Sequence, residues 1–391
     1  MIPYEEAYEQ VINSTFRLGI EIVDFQNSLN RILAEDIVSD LNMPPFNKAA
    51  MDGYACRKED LQNVLEVIEI IPAGATPKKR VGKNQCSKIM TGAPVPEGSD
   101  TVIMVEYTEE VDETHIRFTQ QDSKSNICLL GEDVVKGDVL LKKGTCIKEK
   151  HIPVLAMTGA VHIKVYKQPK VAIVSTGNEL VEPQVTPDTS QIRNSNAYQM
   201  LAQIGTLNLP VQYLGIAADT LEDTETMLQK AIHQSDVIIM SGGVSMGDYD
   251  YVPRVLKQAG FKIHFHGVAT KPGKKTIFAT TANQWFVGVP GNPVSAFVQF
   301  ELLIKPLLMG IMGKIYKPDF YKFTLQQDFF RKNAGRKSFE PVVVHSDGSV
   351  TPMEYHGSAH INALTYADGL MVVERGITQI KKGEKVDVRL I

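Results

Sequence analysis

The stretch DVIIMSGGVSMGDYDY, residues 236–251, joins a short apolar run to a glycine turn and two aspartates. It predicts a buried strand, a loop free of Cβ obstruction, and a helix that starts near Tyr251. The N–H groups at a helix start attract anions, and Asp248 and Asp250 lie beside them in sequence. Carboxylates next to an anion cradle suit Mg²⁺ bridged to phosphate oxygens. The alternative is a plain glycine turn with Asp250 as the helix N-cap.

The residues around this stretch, 169–315, repeat one pattern: a short apolar run and then a helical stretch. The apolar runs are KVAIVS, VQYLGI, DVIIMSGG, FKIHFHG, KTIFAT and WFVGV. Such alternation predicts a central, doubly wound, mostly parallel three-layer α/β domain with helices on both faces. Sheets of this kind bind ligands beyond the carboxyl ends of their strands, so the loops at those ends are candidate sites.

Two further loops at strand ends carry acidic residues. STGNEL, residues 175–180, supplies Glu179, although taken alone it is a common turn. Asp219 follows the run VQYLGI, and with Glu222 it fits a capping box at a helix start. The capping role suffices for Asp219 without any function.

The remaining strand-end loops are KPGKK, residues 271–275, and GVPGNPVSA, residues 288–296. Lys271 and Lys274 flank a Pro-Gly turn, so both ammonium groups can face one ligand. A solvated lysine cluster is the alternative. In the second loop Asn292 can cap a helix whose first residue is Pro293.

Changes in composition and hydrophobic pattern along the chain predict four domains, so the expected fold class is multidomain α/β plus β. Residues 1–44 and 132–168 form an N-terminal mixed helix/strand domain, with helical periodicity across 3–40. Residues 45–131 form a β-rich domain that carries MDGY and TGAPVP. Residues 169–315 form the α/β domain, and residues 319–391 form a small C-terminal β domain.

Composition excludes several classes of function. A net charge of -4 and a pI near 6.2 provide no basic field for nucleic acid or an anionic membrane. The four cysteines lack the spacing of a zinc site or a disulfide framework. The apolar run at 296–312 contains Glu301 and Lys305, which predicts a buried helix rather than a membrane span. We therefore expect a cytoplasmic protein.

Taken together, these motifs resemble those of the molybdopterin molybdotransferases, the MoeA family, which includes the C-terminal domain of gephyrin. The matching pieces occur in order along nearly the whole chain: SLNRILAEDI (28–37), PPFNKAAMDGYA (44–55), KIMTGAPVPEGSDTVIMVE (88–106), GED (131–133), STGNEL (175–180), SGGVSMGDYDY (241–251), KPGK (271–274) and GVPGNPVSA (288–296).

The resemblance implies an elongated four-domain subunit that acts as a homodimer, with an active cleft shared between the subunits. It also implies the reaction, in which adenylylated molybdopterin and molybdate give molybdenum cofactor and AMP with the help of Mg²⁺. Transient contacts with other proteins of molybdenum cofactor biosynthesis are expected. Two alternatives remain open at this point: a scaffold of the gephyrin type without catalysis, and a molybdopterin adenylyltransferase.

Carried onto matching positions, the resemblance implies three sets of site residues. The implied catalytic residues are Asp52, Asp133, Glu179, Asp219, Asp250, Lys271 and Lys274. The implied cofactor-binding residues are Thr91, Ser241, Gly242, Gly243, Ser245, Pro290, Asn292, Pro293, Arg336 and Ser358. The expected metal ligands are Asp219, Asp248 and Asp250.

The chain departs from the family pattern at three places. Asn47-Lys48-Ala49 stands where the family often has Asp-x-Ser, and Leu130 stands shortly before GED, where arginine is usual. The segment GRKSFEPV keeps Arg336 but has Pro341 at a second arginine position. Lys275 is an extra cation that can replace one of the missing anion contacts.

Overall fold

The computed structural model describes residues 1–244, 251–314, 316, 318–353, 357 and 360–391. The predictions that concern Ser245, Asp248, Asp250 and Ser358 therefore lie outside the described residues.

The first part of the chain is built mainly of short strands. Its helices are α1 (Tyr4–Asn13) and α2 (Ile152–Met157). Its strands are β1 (Ile20–Asp24), β2 (Ile37–Val38), β3 (Lys48–Ala49), β4 (Gly53–Cys56), β5 (Val64–Ile71), β6 (Gln85–Ile89), β7 (Thr101–Met104), β8 (Thr108–Glu110), β9 (His115–Phe118), β10 (Ile127–Cys128), β11 (Val139–Leu141) and β12 (His162–Tyr166). One sheet has the order β7-β4-β6-β5-β9-β8. The pairs β1–β12 and β2–β11 bring residues 20–38 against residues 139–166.

The helix predicted across residues 3–40 is much shorter, because α1 ends at Asn13. The hydroxyls of Ser14 and Thr15 donate to backbone carbonyls in the last turn, and an alternating strand follows at β1. The buried residues Tyr4, Ala7 and Val11 pack into the core of the α/β unit. The first helix therefore packs on the α/β unit. The sequence instead predicts that it belongs to one domain with residues 132–168.

The middle part of the chain forms the α/β unit. Its elements are β13 (Val171–Thr176), β14 (Leu180–Val181), β15 (Ile192–Arg193), α3 (Asn196–Gly205), β16 (Val211–Ala217), α4 (Leu221–Gln234), β17 (Val237–Ser241), α5 (Val252–Gln258), β18 (Lys262–His266), β19 (Thr270–Lys271), β20 (Ile277–Thr280), β21 (Trp285–Val289), α6 (Pro293–Gln299) and α7 (Lys305–Ile311). The main sheet has the order β16-β13-β17-β21-β20-β18. Its first four strands are parallel, and β20 runs antiparallel to them. The edge strand β18 is antiparallel to β20 and so has the direction of the first four strands.

Helices cover both faces of this sheet. Leu228 of α4 and Val255 of α5 pack on one face, while Met200 of α3 and Leu307 of α7 pack on the other. The predicted fold class, a doubly wound and mostly parallel α/β unit with β-rich additions, is confirmed. The strand of the opening stretch, β17, lies between β13 and β21 near the middle of the sheet.

One helical run is long and apolar enough to cross a membrane by length and composition. It spans Pro293–Ile311, and 83% of its most apolar window is buried inside the protein. A π-helical segment, Phe300–Ile304, joins α6 to α7 within it. Such burial is typical of the core helix of a globular unit, as the sequence predicts for residues 296–312.

The last part of the chain forms a small barrel. Its elements are β22 (Tyr321–Leu325), β23 (Phe329–Phe330), β24 (Lys337–Val344), β25 (Ser349–Pro352), α8 (Asn362–Thr365), β26 (Gly369–Val373), β27 (Gln379–Ile380) and β28 (Lys385–Leu390). The sheet order is β24-β25-β22-β28-β26, and β26 pairs back with β24 to close the ring. Strand β19 joins β24 in parallel, with Thr270 opposite Lys337. The KPGKK loop is therefore attached directly to the barrel.

Candidate functional site

A cavity of about 620 Å³ opens at the carboxyl ends of the parallel strands. Gly242 and Gly243 form its base with φ angles of +90° and +62°. A Cβ on Gly242 would lie 2.4 Å from the backbone oxygen of Thr176, and one on Gly243 would lie 2.8 Å from the hydroxyl of Thr176. Only glycine fits both the backbone conformation and the space, so the predicted unobstructed loop is present up to Val244.

Asn196 joins the ends of two strands above this base. Its side-chain amide donates to the Ser241 hydroxyl and to the Gly291 carbonyl, at 2.8 Å in each case. Asn196 is buried at the start of α3 and lines the cavity. No local sequence pattern marks Asn196 as a site residue, because its hydrogen-bond partners lie 45 and 95 residues away along the chain. An asparagine at a helix start carries only the signal of an ordinary N-cap.

Two of the predicted carboxylates, Glu179 and Asp219, line the same cavity. The Glu179 carboxylate folds over Gly177, where a Cβ would lie 2.7 Å from the nearer carboxylate oxygen. Asp219 accepts a hydrogen bond from the Asn178 backbone at 3.2 Å, and its own N–H donates to the Asn178 side chain at 3.0 Å. The turn after β13 and the turn after β16 are therefore held together, with both carboxylates on the cavity wall.

The capping box predicted for Asp219 and Glu222 is wrong. The N-cap of α4 is Thr220, whose hydroxyl accepts from the Asp223 backbone at 3.1 Å. The helix begins one residue later than the sequence suggested, and the extended backbone of Thr220 is typical of a capping residue. Asp219 is thereby left to bind Asn178 and to face the cavity.

A second cavity of about 310 Å³ adjoins the first and is strongly basic. Its lining includes Lys271, Lys274, Lys275 and Arg336. Lys275, Pro290 and Asn292 line both cavities, so the two spaces meet at these residues. The sequence predicts that Lys271 and Lys274 face one ligand, and in the structure both line the same cavity.

The turn that carries the lysines is tightly fixed. Gly273 has a φ of +101°, and a Cβ there would lie 2.1 Å from the side-chain nitrogen of Gln299. That nitrogen donates to the Thr270 hydroxyl at 3.1 Å and to the Pro272 carbonyl at 3.3 Å. Gln299 itself is fully buried on α6. The core helix therefore sets the position of the KPGKK loop.

The start of α6 and the barrel complete the basic cavity. Asn292 occupies the N-cap position and Pro293 the first helical position, as the sequence predicts, although the Asn292 side chain makes no capping hydrogen bond to α6. Arg336 donates to the Thr270 carbonyl at 2.9 Å, which places its guanidinium beside the lysine loop. The basic cavity thus lies between the α/β unit and the C-terminal barrel.

The predicted site residues of the first part of the chain lie elsewhere. Asp52 accepts from the Thr91 backbone at 2.6 Å and from the Thr91 hydroxyl at 2.7 Å, and both residues are exposed. Both donors lower the pKa of Asp52, and the backbone N–H of Thr91 has the larger effect. Asp133 lines a separate cavity of about 590 Å³. Within the part of the chain that the structure describes, these three residues line neither cavity at the strand ends.

Two of the family departures meet near Asp133. The Asn47 side chain accepts a hydrogen bond from the Leu130 backbone at 2.8 Å, so the two unusual segments hold each other. Lys48 and Cys128 line the same cavity as Asp133. Lys48 therefore provides a positive charge in the neighbourhood where Leu130 replaces an arginine.

Fold and site together define an α/β protein in which a glycine-lined cavity with two carboxylates adjoins a basic cavity. Family models match almost the whole chain. They are the MoeA N-terminal region (domain I and II) over residues 2–159, the probable molybdopterin binding domain over residues 172–310, and the MoeA C-terminal region (domain IV) over residues 324–391.

Curated relatives named molybdopterin molybdenumtransferase, from Staphylococcus aureus (strain MSSA476) and Staphylococcus epidermidis (strain ATCC 12228), are each 34% identical over 399 aligned residues, covering 100% of this chain and 95% of the relative. A crystal structure of the molybdopterin biosynthesis MoeA protein from Pyrococcus horikoshii OT3 matches with a TM-score of 0.85 at 28% identity, covering 100% of both chains. Another from Pyrococcus horikosii matches with a TM-score of 0.83 at 32% identity, covering 100% of this chain and 99% of that one. The chain belongs to the MoeA family, the molybdopterin molybdenumtransferases, which are enzymes of molybdenum cofactor biosynthesis.

Proposed function

We propose that this protein inserts molybdate into adenylylated molybdopterin and releases AMP, with the two strand-end cavities as the reaction site. The observation that carries the proposal is that the glycine-lined cavity and the basic cavity meet at Lys275, Pro290 and Asn292. A phosphate-bearing pterin in the first cavity then lies next to an oxyanion in the second. Fixing two reactants side by side is itself a large part of catalysis.

The basic cavity suits molybdate, a tetrahedral dianion. Lys271, Lys274, Lys275 and Arg336 line it, and the fixed turn at Gly273 holds three of them on one loop. Near a protein surface, opposite charges 4 Å apart attract by about 4 kcal/mol. The cations therefore offset the repulsion between molybdate and the negatively charged pterin substrate.

The two carboxylates of the glycine-lined cavity suit Mg²⁺ beside a pyrophosphate link. Mg²⁺ is usually bound by one or two carboxylates together with substrate phosphates, and Glu179 and Asp219 share this cavity wall. Glu179 and Asp219 would hold the ion, with Asp248 and Asp250 as further ligands from outside the described residues. A bound Mg²⁺ supplies neutralisation of the charge that develops when the pyrophosphate link breaks. The glycine base at Gly242 and Gly243 leaves room for the phosphates next to it.

A second copy of the chain would complete the site. Asp52, Thr91 and Asp133 match the family pattern but lie outside both strand-end cavities, so they would act from the partner subunit. Large apolar side chains exposed in the segments that adjoin Asp133 support such a dimer: Val38, Leu41, Phe46, Leu129, Leu130, Val135, Val139 and Met157. We place the reaction in the cytoplasm, in agreement with cysteines that are all free thiols. Contacts with other proteins of molybdenum cofactor biosynthesis belong to the same proposal.

The test is an assay of AMP release. The protein is incubated with adenylylated molybdopterin and Mg²⁺ at increasing molybdate concentrations. Molybdate-dependent release of AMP and formation of molybdenum cofactor support the proposal. Adenylylation of molybdopterin from ATP would instead make the chain an adenylyltransferase, and inactivity in both reactions would leave a scaffold.

A further inference from the structure

Lys271 lines two different cavities. The inner pocket is the basic cavity described above, and the outer pocket is a cavity of about 650 Å³ against the C-terminal barrel. Glu340 and Arg331 line the outer pocket, whereas Arg336 lines the inner one. A flexible lysine between the two pockets can turn its ammonium group to either side.

Glu340 is an unusual residue for the neighbourhood of an oxyanion site. It lies on β24 with only 5% of its surface exposed, and one of its carboxylate oxygens is 3.6 Å from the Lys271 ammonium. The same oxygen is buried and has no hydrogen-bond partner among the described residues. A buried carboxylate oxygen without a hydrogen bond is costly unless a cation lies near it, so the ion pair with Lys271 compensates for its burial.

Arg331 is the second cation near Glu340, and it is committed elsewhere. Its guanidinium donates to the Ile377 carbonyl at 2.6 Å and to the Ser338 hydroxyl at 2.7 Å, within the barrel. Burial lowers the pKa of Arg331 and the charge of Glu340 acts in the opposite direction. Arg331 is therefore held by the barrel, and Lys271 is the cation that is free to change partners.

We propose that Glu340 is the resting counter-ion of Lys271 and sets the affinity of the inner pocket for its oxyanion. Lys271 leaves Glu340 when the oxyanion binds and returns when the oxyanion is consumed. The identity of the oxyanion as molybdate rests on the proposed function. Glu340 thus acts through Lys271 as a positioning residue, and its negative charge weakens oxyanion binding in the inner pocket.

The test is calorimetric titration of the full-length protein with molybdate, without the pterin substrate. Glu340→Gln keeps the shape and removes the charge, so it should lower the Kd for molybdate by roughly five- to tenfold. The KM for molybdate in AMP release should fall by a similar factor, and kcat should change less than KM. Asp387→Asn is the matched control, because Asp387 forms a 2.8 Å ion pair with Lys322 on the same barrel. Its molybdate affinity should stay at the wild-type value.

A double variant separates counter-ion exchange from a general charge effect. In a Lys271→Gln background, Glu340→Gln should change the molybdate Kd less than twofold. If Glu340→Gln does not fold, Glu340→Asp replaces it, since a shorter side chain weakens the pair and should also tighten molybdate binding. Unchanged or weaker binding in a folded Glu340 variant overturns this inference alone. Failure of the wild-type protein to bind molybdate at all overturns it together with the proposed function.

Discussion

At the strand ends of the α/β unit, Gly242 lies so close to the Thr176 backbone that no side chain fits between them. In the first part of the chain, Asp52 and Thr91 are exposed and bind each other at the surface. Both places match the family pattern. The first is enclosed by its own strands, helices and barrel, whereas the second has an open side.

The difference shows which half of the site one chain supplies. In the strand-end half, hydrogen bonds donated by Asn196, Asn178 and Gln299 fix the strand ends, the Asp219 carboxylate and the lysine loop. The Asp52–Thr91 pair is also joined by hydrogen bonds, but both residues face solvent. The pair therefore needs another surface to become part of a cavity. Substitutions at the strand ends should therefore lower the stability of the single chain. Substitutions at Asp52 or Thr91 should instead lower mainly the activity of the assembled enzyme.

The largest effect is expected from Gly242→Ala. Both the positive φ and the clash with the Thr176 backbone oppose the added Cβ, so the variant should lose roughly 2–4 kcal/mol of stability and at least about a hundredfold in activity. Thermal unfolding and AMP release measure the two losses. Gly74→Ala is the control, because Gly74 has a similar φ of +83° with nothing within 4 Å of the added atom. It should lose only about 1 kcal/mol and keep its activity.

Lys271→Gln should have the next largest effect. Removing one of the cations of the basic cavity should raise the KM for molybdate roughly 10- to 30-fold. The variant also leaves the buried Glu340 without its ion pair, so its melting temperature should fall as well. Kinetics at varied molybdate and a melting curve test both points. Lys230→Gln is the control, because Lys230 is an exposed lysine on α4, and it should change neither the KM nor the melting temperature. An unchanged KM in Lys271→Gln would contradict the assignment of this cavity to molybdate.

Asp219→Asn should affect the Mg²⁺ requirement more than the fold. An asparagine keeps an oxygen that accepts from the Asn178 backbone, so stability should change by less than about 0.5 kcal/mol. The Mg²⁺ concentration for half-maximal AMP release should rise by about tenfold, because one of two cavity carboxylates has lost its charge. Asp223→Asn on α4 is the control and should leave the Mg²⁺ requirement unchanged. A normal Mg²⁺ requirement in Asp219→Asn would remove Asp219 from the metal site.

The smallest effect is expected from Thr91→Val. Losing the hydroxyl donor should move the pKa of Asp52 upward, toward its ordinary range, while the backbone donor remains. Because the folded-state pKa of Asp52 is lowered, any stability that this pair gives is present above the unfolded pKa and is lost as pH falls through the folded pKa. An NMR titration of Asp52 checks the shift. Thr119→Val, whose hydroxyl donates to a backbone carbonyl, should leave that titration unchanged.

The class of fold and much of the site could be predicted from sequence, because strands that alternate with helices dictate a sheet whose loops meet at one edge. Glu179 and Asp219 reach one cavity, and Lys271 and Lys274 reach the adjoining one, for this reason. These groupings depend only on which loop follows which strand. Local chemistry also predicts the positions of Asn292 and Pro293 at the start of α6, but not that the Asn292 side chain makes no capping hydrogen bond there.

Other features depend on contacts that no local pattern carries. Asn196 and Glu340 act on residues far away in sequence, and only the folded chain brings them near Ser241 and Lys271. The cap of α4 was misplaced by one residue, because Asp219 and Thr220 are both good capping residues and the bond to Asn178 decides between them. The length of α1 was overestimated, since a helical period continues in the sequence beyond Asn13, where the chain turns into strand β1.

The most direct test of the central claim, that each site joins the strand ends of one chain to the Asp52 surface of another, is a mixed-subunit assay. Lys271→Gln and Asp52→Asn are each expressed and purified alone, and the two are also co-expressed at equal levels. AMP release is measured in the three preparations at a molybdate concentration well below the wild-type KM, where the raised KM of Lys271→Gln makes its activity low. Random pairing of two such chains gives mixed dimers with one intact site each, so the co-expressed sample should recover about a quarter of wild-type activity above the low level of either variant alone. Activity no higher than the mean of the two separate variants would contradict a site shared between subunits.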